Sequence, residues 1–173
     1  MGPRLSATSD RAYRAGAFAL LVALGAILAA LAFERFGGYE PCPLCLLQRY
    51  AYYAGIPGLF AALVLVAAER PRLAGFLFFA VALGFLANAG LGVYHAGIEW
   101  GFWPGPDTCS GELRPFKPGP GGLLNEIGKG RVIRCDAAAW RFLGLSFAGW
   151  NVVTSFVAFI ASIQAAFAAS ERA

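Results

Sequence analysis

The chain has 173 residues, 58% of them hydrophobic and only 14% charged, with a mean hydropathy of +0.61. That length holds one domain, and so little charge excludes an ordinary soluble surface. The formal net charge of +4 does not point to nucleic acid, because the basic residues sit beside apolar runs and form no stripe.

The first apolar segment runs from Ala15 to Phe33 without a polar side chain. Arg4, Arg11 and Arg14 resemble the basic start of a signal peptide, and Ala30-Leu31-Ala32 resembles a cleavage site. The run of 19 residues exceeds the roughly 7–15 of a signal peptide's apolar stretch, so an uncleaved span is expected. A short loop from Glu34 to Arg49 leads to a second run, Tyr50 to Ala68, apolar apart from its tyrosines. Glu69 to Arg72 reads as a tight turn. A third run, Leu73 to Tyr94, is interrupted only by Asn88. A long loop, His95 to Arg141, precedes a fourth apolar stretch from Phe142 to Ser170, whose spanning part is about 147–168 and which carries Asn151, Thr154, Ser155 and Gln164.

Each run reaches or approaches the roughly 20 residues that cross a hydrocarbon core of about 30 Å. Backbone groups in lipid must be bonded within the segment, so the runs are helices. The expected fold is a single all-α membrane domain: a four-transmembrane-helix bundle with one short and one long loop, and no internal repeat. The Pro- and Gly-rich stretch from Pro115 to Gly122 begins the long loop irregularly, and Leu123 to Ile127 has the pattern of one amphipathic turn on the membrane surface.

Four spans put the first and third connections on the same side of the membrane. All four cysteines, Cys42, Cys45, Cys109 and Cys135, fall in or beside those two loops. The tails and turn carry six Lys/Arg against eight on the other side, but two of the six lie within Glu69-Arg70-Pro71-Arg72 and three in the N-terminal tail. Density next to the membrane therefore favours both termini on the cytoplasmic side. The cysteines then face an oxidising compartment, where disulfides persist.

Cys42-Pro43-Leu44-Cys45 lies just before the second run. Pro43 suits a first helical position, since it has no amide hydrogen to lose there. Cys45 then falls in the first turn, where free N–H groups and the helix dipole favour a thiolate. Arg49 follows one turn on, on the same face. A cation near a helix N-terminus opposes the dipole, which suggests a task beyond snorkelling into the interface.

Cys109 and Cys135 lie in the long loop with 25 residues between them. Alone they would suggest an inert staple. Beside a C-x-x-C on the same membrane face, they suggest a second dithiol able to exchange through mixed disulfides. Four cysteines allow three pairings. A structural zinc site would normally show a second short cysteine spacing, and a single histidine, His95, excludes bis-histidine haem ligation, so no metal is expected.

The residues reached resemble the DsbB family of disulfide bond formation proteins. The likeness lies in Pro41 to Tyr50 (PCPLCLLQRY), in Tyr94-His95-Ala96-Gly97, in Gly105 to Cys109, and from Cys135 to Trp150, especially Phe142-Leu143-Gly144-Leu145-Ser146. With the four spans it covers about residues 15 to 165. It implies a quinone-linked inner-membrane enzyme that reoxidises a periplasmic thioredoxin-fold oxidant of the DsbA type. That partner would attack a Cys109–Cys135 bond and form a mixed disulfide at Cys109. Electrons would pass to Cys42–Cys45 through a Cys42–Cys135 crosslink and leave from Cys45. The family implies a bound ubiquinone or menaquinone, polarised by Arg49, with Gln48 and His95 as further contacts; a His95 hydrogen bond to a quinone carbonyl competes with its being a plain polar cap. Two alternatives share parts of this pattern: an enzyme like vitamin K epoxide reductase, whose C-x-x-C is expected near a late helix end, and a tetraspan scaffold with structural disulfides.

Overall fold

The computed structural model describes residues 7–106 and 135–171. Helix α1 spans Ala7–Arg35, α2 Pro43–Ala67, α3 Pro71–Glu99, and α4 Phe147–Ser170. A two-residue antiparallel pair, β1 (Arg141–Phe142) and β2 (Leu145–Ser146), precedes α4. All four helices are long and apolar enough to cross a membrane, and the chain is a multi-pass membrane protein. Cys109 and the segments from Pro115 to Ile127 lie outside the described residues.

Helices α1, α2 and α3 are longer than their apolar runs, whereas α4 is shorter than the stretch that starts at Phe142, because residues 142–146 belong to the hairpin. Helix α2 starts at Pro43, seven residues before the run, with the proline at its beginning as the sequence suggests. Helix α3 starts at Pro71 and continues past Tyr94 to Glu99, so His95 belongs to its last turns and not to the loop. Hydropathy ends where polar side chains begin, but the backbone ladder continues while those side chains find partners.

Helix contacts are made by small residues. A Cβ added at Gly55 would come within 2.7 Å of the Phe85 ring, and one at Gly58 within 2.7 Å of Val81. Ala19, Ala23, Ala62, Ala74, Ala158 and Ala165 are buried in the same core, while Leu21, Phe76 and Phe167 point outward. With lipid as solvent, close backbone approach drives association more than apolar burial does.

Several polar residues within the spans bond to one another in mid-bundle, although Asn151 Nδ2 has no partner among the described residues. The Tyr52 hydroxyl donates to Asn151 Oδ1 at 2.8 Å and lies 2.8 Å from Thr154 Oγ1. Asn88 Nδ2 donates to Ser155 Oγ at 2.9 Å and to Asn151 Oδ1 at 3.2 Å. Three helices are thereby stitched together at one level.

At the cysteine end two short segments fold over the bundle. The chain leaving α3 turns back so that Trp103 stacks on Tyr94 and donates from Nε1 to the Tyr94 carbonyl at 2.9 Å. Its ring occupies the place where a side chain on Gly97 would stand. The hairpin before α4 turns through Leu143 and Gly144, both at positive φ (52° and 81°), the geometry of a tight primed turn. Ser146 then caps α4, its Oγ accepting from the Gly149 amide at 3.2 Å.

Candidate active site

Cys42 is the N-cap of α2, with extended backbone (φ −72°, ψ 165°). Its sulfur accepts from the Cys45 amide at 3.2 Å and from the Cys45 thiol at 2.7 Å. Both are free thiols, Cys42 buried and Cys45 partly so. The sequence placed the helix-terminus effect on Cys45; the structure directs it at Cys42, because the N-cap side chain is the one that meets unpaired amides. The Cys45 thiol hydrogen bond, with help from His95 and against burial, brings the Cys42 thiol from 9.0 down to about 5.

Next to this pair stands a buried polar group from α2 and α3. His95 Nε2 lies 3.6 Å from Cys42 Sγ, and its Nδ1 lies 3.0 Å from Gln48 Nε2. Glu99, one turn on, sets Oε1 3.9 Å from His95 Nε2, with both side chains nearly inaccessible. Glu99, at the C-terminal end of α3, also lies beside the Ser146 hydroxyl at the cap of α4. Its second oxygen has no partner among the described residues.

Cys135 is disulfide-bonded and buried, packed with Cys42, Leu44 and Ile98. Its sulfur, Cys42 Sγ and a His95 ring nitrogen lie within 4.8 Å of one another. The second loop therefore returns a sulfur to the first, as a shared side of the membrane requires.

A cavity of about 980 Å³ opens beside Cys42 and Cys45. Its polar wall includes Gln48, Arg49, His95 and Glu99, and it extends along α1 past Ala29 and Ala26. The aromatic wall is built by Phe33, Trp140 and Phe147, with Trp140 and Phe147 stacked at 4.9 Å and Phe33 edge-on to Phe147 at 5.1 Å. Arg49 lines this cavity and is paired there with Glu34 from the end of α1. That carboxylate offsets the cation that the dipole of α2 disfavours.

Sequence reasoning passed over Glu34, Glu99 and the aromatic wall. Glu34 and Arg49 meet across a loop, which no local spacing reveals. Glu99 follows His95 by four residues, a helical spacing that was readable once α3 is extended by one turn.

The disulfide bond formation protein DsbB family model matches residues 12–165. Among relatives named disulfide bond formation protein B, one from Marinobacter nauticus is 32% identical over 77% of this chain and 79% of its own length. One from Aromatoleum aromaticum is 33% identical over 85% of this chain and 86% of its own. A third, from Acinetobacter baylyi, is 33% identical over 71% and 72%. No solved structure gives a significant match. A four-helix membrane bundle with paired thiols at one end is the architecture of a membrane disulfide oxidoreductase. The chain belongs to the DsbB family.

Proposed function

We propose that this protein is a quinone-dependent thiol:disulfide oxidoreductase of the bacterial inner membrane, reoxidising a periplasmic DsbA-like oxidant. The observation that carries the reading is the meeting of the free Cys42–Cys45 thiols, a disulfide-bonded Cys135 within 4.8 Å of Cys42, and a large membrane-level cavity. In this reading both termini are cytoplasmic and all four cysteines periplasmic, in keeping with the arginine density near the tails and turn.

The partner's thiolate attacks a Cys109–Cys135 bond, forms a mixed disulfide at Cys109 and leaves Cys135 as a thiolate. Cys135 attacks Cys42 of an oxidised Cys42–Cys45 pair, giving the Cys42–Cys135 crosslink and releasing Cys45. The partner's second thiolate attacks the partner's own sulfur in the mixed disulfide, so the partner departs oxidised and Cys109 is released as a thiolate. Cys109 then closes on Cys135 and releases Cys42. Each exchange conserves electrons, and the pair left reduced is Cys42–Cys45. The free thiols and bonded Cys135 of the structure correspond to that last state.

The cavity suits a quinone head group. Its volume is in the range of small-ligand sites, and its lining combines an aromatic wall with polar groups that can orient a ring. Arg49, Gln48 and His95 line it, and Arg49 is the cation able to hold a ring oxygen. A bound quinone would supply the two-electron, two-proton acceptor that a strongly oxidising partner, near about −120 mV, requires downstream. Cys45 faces the cavity beside Arg49 as the exit for the pair's electrons.

The test is quinone consumption by purified protein supplied with a reduced thioredoxin-fold oxidant. Wild type should consume quinone, and Cys45→Ser and Cys109→Ser should both stop. No consumption with ubiquinone or menaquinone, in protein whose cysteines stay permanently bridged, would refute an oxidase and leave a stapled scaffold.

A further inference from the structure

Both ring nitrogens of His95 are engaged inside the protein: Nδ1 with Gln48 at 3.0 Å, Nε2 with Cys42 at 3.6 Å and Glu99 at 3.9 Å. The Gln48 amide nitrogen can only donate, so Nδ1 is the acceptor and the ring proton sits on Nε2. That proton faces one sulfur of a close pair, since Cys135 Sγ and Cys42 Sγ lie within 4.8 Å of each other. We propose that His95 is a catalytic residue of the sulfur exchange itself, donating from Nε2 to Cys42 so that Cys42 is the sulfur that leaves when a Cys42–Cys135 disulfide is opened. Gln48 and Glu99 are its positioning residues.

This rests on the relay reading above, and it supplies what that reading lacks, a reason for direction. A crossed disulfide can be attacked at either sulfur. Attack at Cys135 completes the cycle, whereas attack at Cys42 undoes it. In the productive step an incoming thiolate bonds to Cys135 Sγ, the bond to Cys42 breaks, and its electron pair stays on Cys42 Sγ. One thiolate is consumed and one formed, so no outside oxidant or proton donor is needed. Thiols that are stabilised as anions leave faster, and three contacts stabilise Cys42: the Cys45 amide, the Cys45 thiol and His95. Once Cys45 has left the pair as a separate thiolate, its thiol hydrogen bond is lost, and the Cys45 amide and the His95 donor are the contacts that remain to Cys42. While Cys42 is bonded to Cys135 it is a poor acceptor, and Glu99 Oε1 offers the Nε2 proton a second one.

Among the described residues, the charged and titratable groups around His95 are Cys42 and Cys45 at the start of α2, Glu99 on its own helix, Cys135 on the returning chain and, acting on Glu99, Arg141. None of them supplies another hydrogen-bond donor of fixed direction to Cys42 except Cys45.

The full-length Cys45→Ser/Cys109→Ser protein contains only Cys42 and Cys135, and mild oxidation should join them. Opening that bond with 2-mercaptoethanol, quenching with acid, alkylating and mapping by mass spectrometry reports which cysteine carries the small thiol. The expected product has the adduct on Cys135 and Cys42 free, in about tenfold excess, the effect of one hydrogen bond to a charged group. His95→Leu in this background should open about tenfold more slowly and lose the bias. His95→Gln, whose amide can replace the Nε2 donor, should recover much of both. Gln48→Leu should fall between. If Cys42 and Cys135 do not join, the relay fails and this assignment with it. If they join and His95→Leu opens with the same rate and bias, the His95 assignment alone is overturned. Should His95→Leu not fold, equal attack on both sulfurs in the parent or in His95→Gln has the same force.

Discussion

Two buried polar clusters share this bundle, and they are built to opposite ends. In mid-bundle, Tyr52, Asn88, Asn151 and Ser155 form bonds of 2.8–3.2 Å in which one acceptor serves several donors. At the cysteine end His95 is held by Gln48 at 3.0 Å, but Cys42, His95 and Glu99 are linked at 3.6 and 3.9 Å; each cluster has one buried atom without a described partner, Asn151 Nδ2 and Glu99 Oε2. Tight, shared bonds fix helices in one arrangement. Longer contacts with competing acceptors leave a proton and a sulfur able to change partners as bonds are exchanged. Burial and polarity alone do not separate structural from reactive groups in a membrane; the length of the contacts to the sulfur and its proton donor does.

The comparison breaks most sharply at the sulfurs. Cys45→Ala should abolish turnover while leaving detergent-solubilised stability at pH 5, where the Cys42 thiolate contributes little, within about 1 kcal/mol of wild type, read by quinone consumption and by unfolding. The same change should raise the ionisation of reduced Cys42 from its value of about 5, since the Cys45 thiol bond is the largest cause of the lowering. Iodoacetamide labelling against pH reads this: wild type should lose reactivity only as pH falls through about 5, the variant already at higher pH. The sign for stability follows, because folded Cys42 ionises below its ordinary 9.0. Its contribution in the reduced protein is fully present above pH 9.0 and is lost as pH falls through about 5.

The cavity wall should respond next. Arg49→Lys keeps the charge but loses the planar fork, and it should raise the KM for quinone about tenfold with a smaller change in kcat. Glu34→Gln removes the counter-charge of Arg49 and should alter the same KM by only a few-fold, because the cation itself remains.

Mid-bundle changes should invert the pattern. Asn151→Ala removes the acceptor shared by Tyr52 and Asn88 and should cost about 1–2 kcal/mol of stability, with turnover per folded molecule preserved. The smallest effect belongs to the lipid face. Phe76→Leu exchanges one outward apolar side chain for another and should stay within about 0.5 kcal/mol in the same unfolding assay.

The four helices were legible because lipid leaves the backbone no alternative, and the start of α2 because Pro43 follows Cys42. The end of α3 was not, since apolarity stops at Tyr94 while the helix runs on through His95 and Glu99. Cys45 and Arg49 were singled out by helical spacing, but the amide donors go to Cys42, a matter of N-cap geometry and not of proximity in sequence. The Glu34–Arg49 pair and the aromatic wall depend on how α1, α2 and α4 meet, and sequence spacing carries no trace of that. The cofactor class came from family likeness, not from any residue spacing.

One stack of rings also sets a length. Trp140 lies face to face with Phe147 at the start of α4, so the chain is anchored five residues after Cys135. A tether of that length reaches at most about 17 Å. Confined to such a radius, the Cys135 sulfur meets its neighbour at an effective concentration on the order of tens of millimolar, far above that of most free thiols in dilute solution. The anchor therefore acts as a kinetic filter, giving internal partners precedence over passing ones through geometry alone.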